Sequence, residues 1–248
     1  MNPPELTPQI QIPKWQLEKV AGKFPFTACV QLLIEVAKYL AARREVAISN
    51  VLYSDSAGGG QSLFMHHCCL LKLRTPTLPE GVILSLDGGG QVCLRIGEGE
   101  PVKPEAHKIF ERILAVFTAK VAQAILTRMN YDTDLAFETE RDSWRQRIRV
   151  RGILKGQEET ANLSNRNRIP AREIYVIVLP TANVQILLEG FNHEEEAQVM
   201  KDLRRYSELA GLVLHENERP PKPCEVSADV APGLSAHRFR EPGAPLMP

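Results

Sequence analysis

Apolar and polar positions follow two different periods along this chain, and the switches between them mark out its elements. Between about residues 26 and 45, Val30, Leu33, Ile34, Ala37 and Leu40 recur three and four apart, which predicts a helix with one buried face. Short β-rich runs follow, "EVAISNVLYSD", "SLFMHHCCLLKLR", "GVILSLD" and "QVCLRIG", each bounded by Gly, Pro or Asp. The helical period then returns over about residues 103–129. Pro104 suits the first turn, and Phe110, Ile113, Leu114, Phe117, Val121, Ala124 and Ile125 form a wide stripe opposite Lys108, Glu111, Arg112, Lys120 and Gln123.

The second half reads strand, loop, strand, strand, helix, strand. "WRQRIRVRGIL" and "REIYVIVLP" are strands joined by a polar loop containing "SNRNR", and "NVQILLEGF" is a third. Asn192 caps a helix whose first turn carries Glu194, Glu195 and Glu196, where negative charge complements the helix dipole. Gly211 ends that helix and "LVLHE" forms a last strand. Residues 1–15 are proline-rich and read as an extended segment lying over the surface. From residue 219 to 248 apolar periodicity vanishes and proline abounds, so that tail is expected to be disordered. The pattern predicts an α+β protein of mostly antiparallel strands with three main helices. Its two subdomains span residues 16–130 and 131–218. Alternating β-α units are missing, which excludes a doubly wound nucleotide-binding sheet.

Composition adds a compartment and removes some partners. The 248 residues are 44% hydrophobic and 24% charged, enough apolar material for a sizeable core. Lysine plus arginine equals aspartate plus glutamate at 30 each, so any polyanion-binding signal must be local. Five cysteines, Cys68 and Cys69 adjacent, read as reduced thiols in a cytoplasmic protein. "MNPPELTPQ" has no secretory pattern, and Glu35 and Lys38 interrupt the most apolar helix, so no membrane span is expected.

Candidate chemistry is mostly eliminated by spacing. The stretch "VILSLDGGG", residues 82–90, resembles the oxyanion loop of patatin-like phospholipases, which implies a serine hydrolase. In that family the glycines lead through a basic residue into a helix, with the nucleophile in Gly-x-Ser-x-Gly. Here Gln91 and the alternating "VCLRI" follow, and no Gly-x-Ser-x-Gly exists, so Asp87–Gly90 reads as a hairpin turn. Neither this glycine triplet nor the one at Gly58–Gly60 has the spacing of a phosphate loop. In "MHHCC", His66 and Cys68 share one strand face while His67 and Cys69 share the other. Two ligands per face fall short of the four that a structural zinc takes, so no metal or other cofactor is expected. The acidic run "NYDTDLAFETERD" lacks the glycine of a calcium loop and reads as a solvated linker.

One asymmetry survives. Arg145, Arg147, Arg149 and Arg151 alternate with Gln146, Ile148 and Val150, placing four guanidiniums on one strand face at intervals of about 6.6 Å. With Arg166, Arg168 and Arg172 they belong to a segment, Arg141–Arg172, that holds nine basic residues against Asp142, Glu158 and Glu159. Arginine forks onto carboxylate and phosphate and stacks on flat rings, and Trp144 offers an anchor beside the row. Acidic groups of the same chain, such as Glu194–Glu196 or Asp132–Asp142, are able to cover such a face. The chain is therefore expected to be a non-enzymatic binding protein, an adaptor, assembly factor or regulator, that docks an acidic protein partner on Trp144, Arg145, Arg147, Arg149, Arg151, Arg166, Arg168 and Arg172. Nucleic acid held through its phosphates is the alternative partner. An enzyme centred on the thiols and histidines of 66–69 is the third reading.

Overall fold

The computed structural model describes residues 5–12, 28–45, 47–51, 68–75, 78–87, 89–96, 103–138, 146–156 and 171–216. The expected tail from residue 219 lies outside them. Helix α1 (Ala28–Ala42) buries Cys29, Val30, Leu33, Val36, Ala37 and Leu40, the face set by its period. It stops in a paired-carbonyl cap: Glu45 N–H donates to Leu40 O and Arg44 N–H to Ala41 O, with Arg44 at φ 60°. Glycine normally takes that position because a Cβ is strained there. Arg44→Gly should therefore stabilise the protein by about 1 kcal/mol, a rise of roughly 2–4 °C in Tm. An unchanged or lower Tm by differential scanning calorimetry would show that this cap carries no strain.

Strands β1 (Glu5–Ile10), β6 (Tyr131–Glu138), β7 (Arg147–Leu154), β8 (Glu173–Val178), β9 (Val184–Glu189) and β10 (Leu212–Glu216) form one antiparallel sheet in the order β10-β1-β9-β8-β7-β6. Strands β2 (Ala47–Val51), β3 (Cys68–Thr75), β4 (Leu78–Leu86) and β5 (Val92–Ile96) form a second antiparallel sheet in sequence order. Helix α2 (Lys103–Arg128) lies against both sheets and against α1, and α3 (His193–Leu209) packs on α2 and β10. The fold class expected from the pattern, α+β with mostly antiparallel strands, is the one observed, with three helices among the described residues. A single buried cluster runs through it, from Leu6 and Ile10 through Leu33, Leu73, Leu84, Ile113 and Phe117 to Val150, Val176 and Leu212.

Three local expectations change. The N-terminal segment is extended, but it is inserted into the sheet between β10 and β9, with Leu6 and Ile10 buried. Pro8 is tolerated there for a geometric reason. Gln11 N–H donates to Gly211 O beside β10, while Ile12 N–H donates to Gly90 O on the opposite side. By that alternation the missing N–H of Pro8 points away from β10, where the ladder to β9 has already ended at Leu6. The acidic run expected to be a linker is strand β6. Finally, α2 has no solvent side at its centre, because every residue from Arg112 to Ala119 is buried. Arg112, read as part of the polar face, is only 5% exposed.

Helix α3 starts as expected. The Asn192 side chain accepts from Glu195 N–H at 3.0 Å and the Glu195 carboxylate accepts from Asn192 N–H at 3.1 Å, a reciprocal capping box. Gly211 follows the helix at φ +85°. No helix among the described residues is long and apolar enough to cross a membrane.

Candidate functional site

The glycine turn is closed upon itself. Gly89 N–H and Gln91 N–H both donate to Asp87 Oδ1, at 2.9 and 2.8 Å, and Gly90 N–H donates to Asp87 O. Donors that an oxyanion loop would aim at a substrate are used by the turn's own aspartate, and β5 returns from it antiparallel to β4. The turn instead ties the sheets together, through Ile12 N–H on Gly90 O and a bridge between Gln11 and Gln91. Of the thiol and metal candidates, Cys68 opens β3 opposite Leu86, while His66 lies outside the described residues. Among the described residues no three His, Cys, Asp or Glu side chains gather as metal ligands. Burial pushes the Cys29 thiol up to about 12, which keeps it protonated and unreactive at neutral pH.

Three residues of the arginine row, Arg147, Arg149 and Arg151, lie on an open sheet face. In β7, Ile148, Val150 and Gly152 are buried against the helices, so Arg147, Arg149 and Arg151 point to the opposite face. Trp144, Arg145, Arg166 and Arg168 lie outside the described residues. Arg172 belongs elsewhere: strand alternation turns it to the helix side, where it pairs with Glu195 of α3 and its guanidinium lies 5.9 Å over the Phe191 ring.

Neighbouring strands decide the electrostatics of this face. Their register sets Glu138 opposite Arg147, Asp134 opposite Arg151, and Tyr175 beside Arg151. Arg149 reaches Glu138 at 3.1 Å, with both side chains more than 40% exposed. Arg151 forks onto Glu173, Nε to Oε2 at 3.0 Å and Nη2 to Oε1 at 2.8 Å, with the Tyr175 ring 5.9 Å beneath it. Hydrogen bonding to Glu173 raises the Arg151 pKa further above its ordinary value. The same fork, with a bond from Tyr175 Oη, lowers that of Glu173. Lys155 approaches Asp132 at 3.6 Å. Arg147, Arg149, Arg151 and Lys155 thus face Asp132, Asp134, Glu138 and Glu173, and the register adds Glu189 opposite Glu173 and Glu5 opposite Gln185 on the same side of the sheet. Beside them run Tyr175, Ile177 and Leu187, half-buried on the same face.

A second polar cluster was not legible in the sequence. Arg112 Nε donates to Glu45 Oε2 at 2.9 Å, Arg112 Nη2 to Gln146 Oε1 at 3.0 Å, and Arg43 Nε to Glu45 Oε1 at 2.8 Å. Tyr39 and Phe137 stack beside it at 5.9 Å, and both guanidiniums lie over the Phe137 ring. These groups join the end of α1, the centre of α2 and the start of β7. The run Ile113–Ala119 directly after Arg112 is apolar on every side but for Thr118, and that run is the one signal in the sequence that this arginine is covered.

Fold and face together define the class: an α+β protein with one large sheet covered by helices on one side and presenting a charge-patterned face on the other. No protein-family model, curated protein or solved structure matches the chain.

Proposed function

We propose that this is a non-enzymatic binding protein, an adaptor, assembly factor or regulator. It docks a protein partner bearing carboxylates on the outer face of its six-stranded sheet. The observation that carries this reading is the graded pairing of the arginine row. Arg151 is held in a fork by Glu173, whereas the Arg149–Glu138 pair is exposed at both ends and worth no more than ~1 kcal/mol. Partner carboxylates exchange readily with Glu138 and engage Arg147 and Arg149, while Tyr175, Ile177 and Leu187 supply apolar contact. The carboxylates among these arginines favour a protein surface over nucleic acid, because a polyanion laid here meets Asp132, Asp134 and Glu138 as well.

The test titrates the full chain with a fluorescent oligoglutamate and with an oligouridine of equal length, at several salt concentrations. Wild type and a Lys201→Glu control should retain the glutamate peptide, and Arg147→Glu/Arg149→Glu should lose about tenfold or more in affinity. Binding of the oligouridine with a log–log salt slope near −3, roughly 0.7 for each of four phosphates, makes the protein a nucleic-acid binder instead. Retention of neither probe overturns the docking face.

A further inference from the structure

We infer that the open edge of β6 is a strand-addition site for an extended basic segment of another protein, with lysine or arginine at alternate positions. This site uses the backbone edge of β6, whose carboxylates share the sheet face of the arginines, and it does not depend on that face docking a partner. β6 ends the six-stranded sheet, and its 8 residues pair with β7 in unbroken register from Tyr131↔Leu154 to Glu138↔Arg147. No strand follows it among the described residues, so alternate N–H and C=O groups of a regular extended backbone point outward. Such a row is a ready template for an added strand.

Side chains select what is added. One face of β6 presents Asp132, Asp134 and Glu138, and the other presents Thr133, Leu135 and Phe137, half-buried and mostly apolar. The strand already paired to it has the complementary pattern: β7 sets Arg147, Arg149 and Arg151 beside the carboxylates and Ile148 and Val150 beside the apolar row. The same alternation suits the open side. Asp134 supplies an independent pointer. Arg151 sits opposite it, but that guanidinium turns away to Glu173, leaving Asp134 exposed and paired with no cation among the described residues. Carboxylates on an edge deter neutral and acidic strands, and a second copy of β6 would set two identical acidic rows against each other. The occupant is therefore a basic segment of a different chain.

The experiment measures fluorescence anisotropy of a labelled octapeptide of alternating arginine and valine against the full chain. Two companions carry N-methyl groups on all arginine amides or on all valine amides. In an added strand only one of these sets faces β6, so one companion should bind about tenfold or more weaker than the parent and the other should bind like it. Asp132→Lys/Asp134→Lys, changed at two exposed positions and checked for an unaltered melt, should weaken the parent peptide to a similar degree. Equal binding of all three peptides would reduce the interaction to charge alone and overturn the proposal. So would failure of the parent peptide to bind, or sedimentation showing a dimer that the peptide does not disperse.

Discussion

Glu45→Leu should lower stability by about 3–5 kcal/mol, because it strips the carboxylate from a guanidinium that is almost wholly buried. Arg112 is 5% exposed and, among the described residues, keeps Gln146 as its hydrogen-bond partner and the Phe137 ring beneath it in the variant, while Glu45 is 14% exposed in the wild type. Removing both charges together, in Arg112→Met/Glu45→Leu, should cost less than removing the carboxylate alone, since no unpaired buried charge remains. Urea denaturation of the two singles and the double gives the cycle. Burial pushes the Glu45 carboxyl up, but hydrogen bonds from Arg112 and Arg43 outweigh it and hold the group below its ordinary value. Its contribution is then complete above the ordinary carboxylate pKa and is lost as pH falls through the folded value. The gap between wild type and Glu45→Leu should accordingly narrow from neutral pH towards about pH 4 and below. A gap independent of pH would mean that the site selects leucine-sized volume rather than charge.

Gly211→Ala should cost about 2–5 kcal/mol through two separable causes. Gly211 takes φ +85°, where a side chain is strained by roughly 1–2 kcal/mol. A Cβ there would also stand 2.7 Å from Cys29 Sγ and 3.1 Å from Gln11 O, an overpacking that adds about 1–3 kcal/mol. The clash involves the joint between α1, β1 and β10, because Gly211 O accepts from Gln11 N–H. Thiol labelling reports the same event. Cys29 is buried and protonated in the wild type, so a disulfide reagent should react with it at neutral pH only in the variant. A Tm within about 2 °C of wild type and an unreactive Cys29 would show that the joint yields without loss.

Strand and helix identity were legible for most elements with one face on the core. The period of Val30–Leu40, the stripe through Ile113 and Phe117, and the alternation of β7 each translate directly into burial. β1 and β6 were hidden for opposite reasons. In "ELTPQI" the proline argues against a strand, and only the early end of the β9 ladder makes it harmless. In "YDTDLAFE" the acids argue for a linker, yet on an edge strand they face solvent and the arginines of β7. The face of the arginines was readable too, as was the alternative that the chain's own acids would cover it. Acids named for that role do pair with basic residues: Glu138 with Arg149 and Asp132 with Lys155 on this face, and Glu195 with Arg172 on the other side of the sheet.

Local order thus decided the class of fold, the helix caps at Asn192 and Gly211, and the single-faced row of Arg147, Arg149 and Arg151. These depend on periods and on turn chemistry, which act over a few residues. Which acids those arginines meet, and that Arg112 is buried with Glu45, 67 positions earlier in the chain, were decided by tertiary structure. Pairing across strands and helices depends on register and layer order. A charge pattern along one strand does not specify what stands beside it.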